Sequence, residues 1–161
     1  ATTSTKLLAY TSFVRPVLEY ANTVWFPHTQ TNIGKLEAIQ RKAVRFIHNK
    51  YRRTDSPTHP LIKSGLQTLS TRAKHARLKF LFQLLKNTYK IDTSKYISLS
   101  QARQTRNKHA YTLSEYICKN DAFKYSFFPL AIAEWNQLDA AITNTESLSK
   151  FTSQIEKTVC A

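Results

Sequence analysis

The sequence predicts a mainly α fold, a compact helical domain of about six helices, and three observations carry that expectation. Only 2 of 161 residues are glycine, which leaves few positions for the tight primed turns of an all-β sandwich or barrel. Apolar residues recur at helical spacing through several separate stretches. Hydrophobic residues make up 42% of the chain and charged residues 21%, a globular balance and not that of a disordered tail. A chain of this length can enclose a core of its own.

Residues 4–24 read as one helical stretch broken at Pro16, whose ring suits the first turn of a second helix. Val17, Tyr20, Ala21 and Val24 keep helical spacing on that second piece, which stops before Pro27. The clearest helix runs from about Asn32 to His48. At about 100° per residue, Ile33, Leu36, Ile39, Ala43, Phe46 and Ile47 share one side, and Lys35, Arg41, Lys42 and Arg45 share the other. Lys50, Arg52 and Arg53 carry the cationic stripe onward. A turn around Asp55-Ser56-Pro57 leads to a short helix from Thr58 through Lys63, closed by Gly65.

The next long helix, about Ser70 to Asn87, has apolar residues around most of its cylinder and reads as a central core helix. Arg72, His75, Lys79 and Lys86 form a polar stripe on it, while Lys74 and Arg77 cluster near its first turns. Cations at a helix start oppose the macrodipole, a local cost that a bound anion would offset. Residues 88–110 read as a loop, and 111–118 leave room for one short strand or hairpin. Phe123 to Leu138 reads as a helix packing Phe128, Ile132, Trp135 and Leu138. The last helix, about Ser147 to Val159, takes Ser147 as its N-cap and puts Leu148, Phe151, Ile155 and Val159 on one face. The expected organisation is a basic helical region over 1–88, a polar basic loop over 89–110 and a helical packing region over 111–161.

Charge supplies the functional expectation. Residues 1–109 hold 20 Lys/Arg against 4 Asp/Glu, residues 110–161 hold 4 against 6, and the chain carries a net +14. A field that strong on one part of the chain points to a polyanion, nucleic acid above all. A membrane surface calls for a more one-sided amphipathic helix. The candidate contacts are Lys35, Arg41, Lys42, Arg45, Lys50, Arg52, Arg53, Arg72, Lys74, Arg77, Lys79 and Arg106. They suit backbone phosphate, which positions a duplex without reading its bases. Tyr51, set among Lys50, Arg52 and Arg53, is placed to stack on a base. Trp25, Phe46, Phe82, Phe128 and Trp135 fall on apolar helix faces and are expected in the core.

Catalytic patterns are missing from the sequence. Metal-assisted phosphoryl transfer needs paired carboxylates, and none of Asp55, Asp92, Asp121 and Asp139 adjoins another acid. The five histidines show no i,i+4 pair with a metal partner. There is no Gly-rich phosphate loop and no nucleophile motif. Cys118 and Cys160 match no metal-ligand spacing and read as small buried hydrophobes, with a disulfide between them left open. The chain has neither an apolar run of 18 residues nor a signal-peptide core, so an intracellular protein of nucleus or cytoplasm is expected. The complete lack of Met suggests a piece of a longer product.

Several runs are more particular than composition explains. Phe13-Val14-Arg15-Pro16-Val17-Leu18-Glu19-Tyr20-Ala21 followed by Val24-Trp25 resembles the segment after the polymerase palm in non-LTR retrotransposon reverse transcriptases, most of all the jockey-like elements. Leu36-Glu37-Ala38-Ile39-Gln40-Arg41-Lys42-Ala43-Val44-Arg45-Phe46-Ile47 is similar to their next signature. Leu61, Gly65, Leu69, Arg72 and Ala76-Arg77-Leu78 continue it, then Thr105-Arg106. Phe123-Lys124-Tyr125-Ser126-Phe127-Phe128-Pro129, Ile132, Trp135-Asn136, Leu138, Ser147-Leu148 and Phe151 complete the ordered set, over residues about 6–155. The resemblance implies a thumb and post-thumb C-terminal segment, with 1–88 thumb-like, that guides RNA template, cDNA or target DNA alongside the rest of the polymerase. It implies no catalytic residue in this chain, since the Phe/Tyr-Ala-Asp-Asp turn lies upstream in that family and does not occur here. No cofactor belongs to the chain itself; the parent polymerase would use Mg. An autonomous nucleic-acid-binding or protein-interaction module derived from such an element is the rival expectation.

Overall fold

The computed structural model describes residues 1–51, 58–100 and 111–158. It is mainly helical. In chain order come α1 (Thr3–Ala9), a π-helical turn (Tyr10–Val14), α2 (Arg15–Glu19), α3 (Asn22–Trp25), α4 (Gln30–Ile47) and α5 (Thr58–Lys63). Then follow α6 (Leu69–Leu85), α7 (Asp121–Lys124), α8 (Phe127–Trp135), α9 (Ala140–Thr143) and α10 (Leu148–Thr158). The chain divides into two compact units, Ala1–Ala73 and Lys74–Ala161, and the division falls inside α6.

Where the helices stop follows from local chemistry. α4, α5 and α6 end in the same way, with a residue in the left-handed region just past the last turn: Asn49 (φ 54°), Gly65 (φ 63°) and Asn87 (φ 53°). In each case the next amide reaches back to the carbonyl five residues earlier: Lys50 to Arg45 at 2.9 Å, Leu66 to Leu61 at 3.2 Å and Thr88 to Gln83 at 3.0 Å. These Schellman closures satisfy carbonyls that the helix leaves open. Asparagine replaces glycine at two of the three, which its short polar side chain tolerates best among the non-glycine residues.

Prolines set two other boundaries. Pro16 lies at the start of α2, where its missing N–H is not needed. Pro129 prevents the single helix expected over 123–138, because a proline ring clashes with the carbonyl four residues before it. The segment splits instead into α7, capped by Asn120, whose Oδ1 accepts from the Phe123 amide at 2.8 Å, and α8.

In the first unit, Leu7 and Tyr10 pack with Val44 and Ile47 of α4 and with Leu61 and Leu66. The buried face of α4 centres on Gln40, Val44 and Ile47, while Ile39 and Phe46, expected inside, are exposed. Gln40 explains the rotation. Its Oε1 accepts from the Tyr10 hydroxyl at 2.8 Å, and its Nε2 donates to the Gln67 carbonyl at 2.9 Å. A buried amide with both ends satisfied holds a place that apolar periodicity assigns to its neighbours. Glu37 accepts the Ser70 amide at 3.0 Å, fixing the start of α6.

In the second unit, Leu78, Leu81 and Phe82 of α6 form a core with Leu113, Ala131, Ile132, Trp135, Ile142, Phe151 and Ile155. Phe82 and Phe151 stack with ring centroids 4.5 Å apart. Trp135 is buried as expected, its indole N–H donating to the Tyr111 carbonyl at 3.0 Å. The short strand expected near 111–118 is reduced to one antiparallel bridge, Leu99 with Leu113. Leu113 is also paired on its other side. Its amide donates to Asn136 Oδ1 and its carbonyl accepts from Asn136 Nδ2, both at 2.9 Å, so one side-chain amide stands where a further strand would pair. Val159 and Cys160 lie outside the described residues; Cys118 is not in a disulfide.

Candidate nucleic-acid interface

The twelve candidate cations separate into groups of different chemistry. Lys35, Arg41, Lys42 and Arg45 stand on the outward side of α4, opposite Gln40, Val44 and Ile47. Lys35, Arg41 and Lys42 are exposed and Arg45 is half-buried. Arg41 donates to the Gly34 carbonyl at 3.3 Å and so lies back along its own helix. Lys50, just past the α4 closure, is exposed, as is Tyr51 beside it. Among the described residues, no carboxylate pairs with any of these five cations. Arg52, Arg53 and Arg106 lie outside the described residues.

The cations of α6 are engaged differently. Arg72 makes a two-pronged pair with Glu19, Nη2 to Oε2 at 2.9 Å with Nε on Oε1, which ties α6 to α2 within the first unit. Arg77 is 6% exposed and holds Glu134 of α8 through Nη2 at 2.7 Å and Nε at 3.1 Å. Lys79 reaches Glu156 of α10 at 3.5 Å on the surface. His75, expected on the same polar stripe, is buried. Lys74 is half-buried and has no carboxylate partner among the described residues.

The energies of these pairs differ. An exposed pair such as Lys79–Glu156 is worth about 0–1 kcal/mol, so an approaching phosphate competes with it easily. Breaking a buried pair such as Arg77–Glu134 costs about 3–5 kcal/mol, because one charge is left uncompensated. Arg77 therefore belongs to the packing of the second unit. Of the two helices that carry most of the candidate cations, α4 is the one on which every cation is without a carboxylate partner among the described residues.

Two residues of this face escape sequence reasoning. Ile39 (41% exposed) and Phe46 (52% exposed) flank Lys35 and Lys42 and place apolar area beside the cations. The Lys6 ammonium lies 4.5 Å from the centre of the Phe46 ring and donates to the Phe46 carbonyl at 3.2 Å, adding a cation at the same end of the helix. The signal that could have found them is Gln40, a polar residue in the middle of an apolar stripe. The two remaining tryptophan and phenylalanine positions differ likewise: Trp25 is exposed, while Phe128 is half-buried against Tyr96 in a stack of 4.9 Å.

Among the described residues no group of three His, Cys, Asp or Glu could hold a metal ion, and no helix is long and apolar enough to cross a membrane. Asp92 accepts from the amide and hydroxyl of Ser94, which holds its carboxyl below the usual range. Comparison of the chain with known protein families, with curated proteins and with solved structures found no match.

Proposed function

We propose that this chain is the non-catalytic, nucleic-acid-binding C-terminal segment, thumb and post-thumb, of a non-LTR retrotransposon RNA-directed DNA polymerase. In this reading α4 lies along the backbone of template RNA and cDNA, while the polymerisation step and its Mg belong to the rest of the polypeptide. The observation that carries the reading is the outward face of α4, where Lys35, Arg41, Lys42, Arg45 and Lys50 meet no carboxylate among the described residues. From Lys35 to Arg45 the helix rises about 15 Å at 1.5 Å per residue. Over that length of its axis a duplex carries about four phosphates of each strand, at about 3.4 Å of axial rise each. Neutralising them releases condensed counterions, which is the main source of affinity for a polyanion. The ordered resemblance over residues about 6–155 supports a position within a polymerase.

The test is affinity of the full chain for an RNA–DNA hybrid, double-stranded DNA and single-stranded RNA, each across a salt series. Submicromolar binding, strongest for the hybrid and falling steeply with salt, is the expected result. Replacing Lys35, Arg41, Lys42 and Arg45 together by Gln should flatten the log–log salt slope by about 3–4 and leave the helical signal unchanged. Unaltered affinity in that variant would sink the proposal.

A further inference from the structure

The segment from α1 to α3 leaves an apolar face uncovered. Phe13 is 76% exposed, Val17 72%, Tyr20 79% and Val24 76%, with Leu8 and Trp25 exposed at either end. Poor packing is not the cause, because the opposite side of the same segment is in use. Leu7 and Tyr10 sit against Val44 and Ile47 of α4. A π-helical turn joins α1 to α2, closed by the Arg15 amide on the Tyr10 carbonyl five residues back. Val17 then follows Phe13 at four, and the Trp25 indole donates to the Tyr20 carbonyl.

The segment that forms this face carries little formal charge of its own. Residues 1–29 contain only Lys6, Arg15 and Glu19, with hydroxyls of Ser4, Ser12 and Thr23 between. Lys6 is bound to Asn49 Oδ1 at 2.6 Å and to the Phe46 carbonyl, and Glu19 is held by Arg72. Aromatic side chains cover about 150–250 Å² each when buried, and with Leu8, Val17 and Val24 added to Phe13, Tyr20 and Trp25 the exposed parts together present on the order of 700 Å². The largest apolar patch on a typical monomer is about 300–600 Å², whereas each partner in a stable interface contributes about 800 Å².

We infer that this face binds a second copy of the chain across a two-fold axis. A net charge of +14 sets two copies against each other wherever their basic surfaces meet. Contact through this face is the exception. A two-fold places apolar area on apolar area and a hydroxyl rim on a hydroxyl rim. The cations of α4 point away, since α4 turns its other side toward α1. An acidic protein finds its complement on α4 and not here, and an anionic lipid surface requires cations around the apolar face. The inference does not depend on the polymerase reading, and the two can fail separately.

Sedimentation of the nuclease-treated full chain tests it, from ~1 to ~100 µM protein in about 0.5 M salt, where charge effects reach only a few Å. The mass should rise from 18.6 kDa toward twice that value. Phe13→Glu with Val17→Glu should stay monomeric with unchanged circular dichroism; should that pair not fold, Phe13→Ser with Val17→Thr takes its place. Lys42→Gln should dimerise like the parent chain. A parent chain that stays monomeric overturns the inference, as does a mass that grows past the dimer or a dimer that survives the substitutions at Phe13 and Val17.

Discussion

At the scale of single residues, the Tyr10 hydroxyl shows how one buried group responds to solution conditions. Burial pushes its pKa up to about 12 from the ordinary 10.0. The neutral phenol is the form that donates to Gln40. Because the folded value lies above the unfolded one, the stabilisation is complete below about pH 10 and is lost as pH climbs through about 12. The denaturation midpoint of the parent chain should therefore fall between pH 10 and 11 more steeply than that of Tyr10→Phe. Parallel pH profiles for the two proteins would mean that Tyr10 ionises without consequence for the fold.

At the scale of elements, α4 and α6 carry similar numbers of cations and use them in opposite ways. Arg72, Arg77 and Lys79 are matched to Glu19, Glu134 and Glu156, acids 53, 57 and 77 positions away in sequence. The periodicity of α6 alone could not reveal those partners, so its polar stripe and the outer face of α4 look alike in the sequence. The fold separates them, and a paired comparison measures the separation. Lys42→Gln and Lys79→Gln each remove one exposed or half-exposed charge. Lys42→Gln should weaken nucleic-acid binding several-fold and Lys79→Gln much less. Equal losses would mean that net charge, and not the face of α4, sets affinity.

Much of the helical pattern is legible in the sequence for a related reason. Helix existence follows from apolar spacing, and Gly65 marks the end of α5. What is not legible depends on side chains from far along the chain: Gln40 rotating the inner face of α4, and Asn136 standing in for a strand beside Leu113. The same holds for the candidate interface. The cations of α4 are visible at their helical spacing, whereas Ile39 and Phe46 beside them are exposed only because Gln40 takes the centre of the buried face.

At the scale of the whole molecule, the two units hold cores of unequal size. The aromatic centre around Phe82, Trp135 and Phe151 belongs to the second unit, whereas the first relies on Tyr10, Val44, Ile47 and Leu66. More buried apolar area means a larger stabilisation, at about 25 cal/mol per Å². The chain has two tryptophans, one in each unit. In Trp25→Phe, fluorescence therefore reports Trp135 alone, while circular dichroism reports helices throughout. The helical signal should begin to fall at lower urea than the Trp135 signal. Coincident transitions would show instead that the molecule unfolds in one step.

The hydrogen-bonded chain from Tyr10 through Gln40 to Gln67 has a consequence over evolutionary time. Gln40 is enclosed, so a donor or acceptor left without its counterpart there costs about 1–3 kcal/mol. Replacing the hydroxyl and the amide together by apolar groups of the same shape removes that cost from the pair, leaving the half-buried Gln67 carbonyl to find another donor. Divergent descendants of this sequence should therefore show Tyr10 and Gln40 changing as a couple, a polar pair in some lineages and an apolar pair in others. Gln67 takes part through its backbone carbonyl and is released from that constraint, so its side chain should drift while the other two move together.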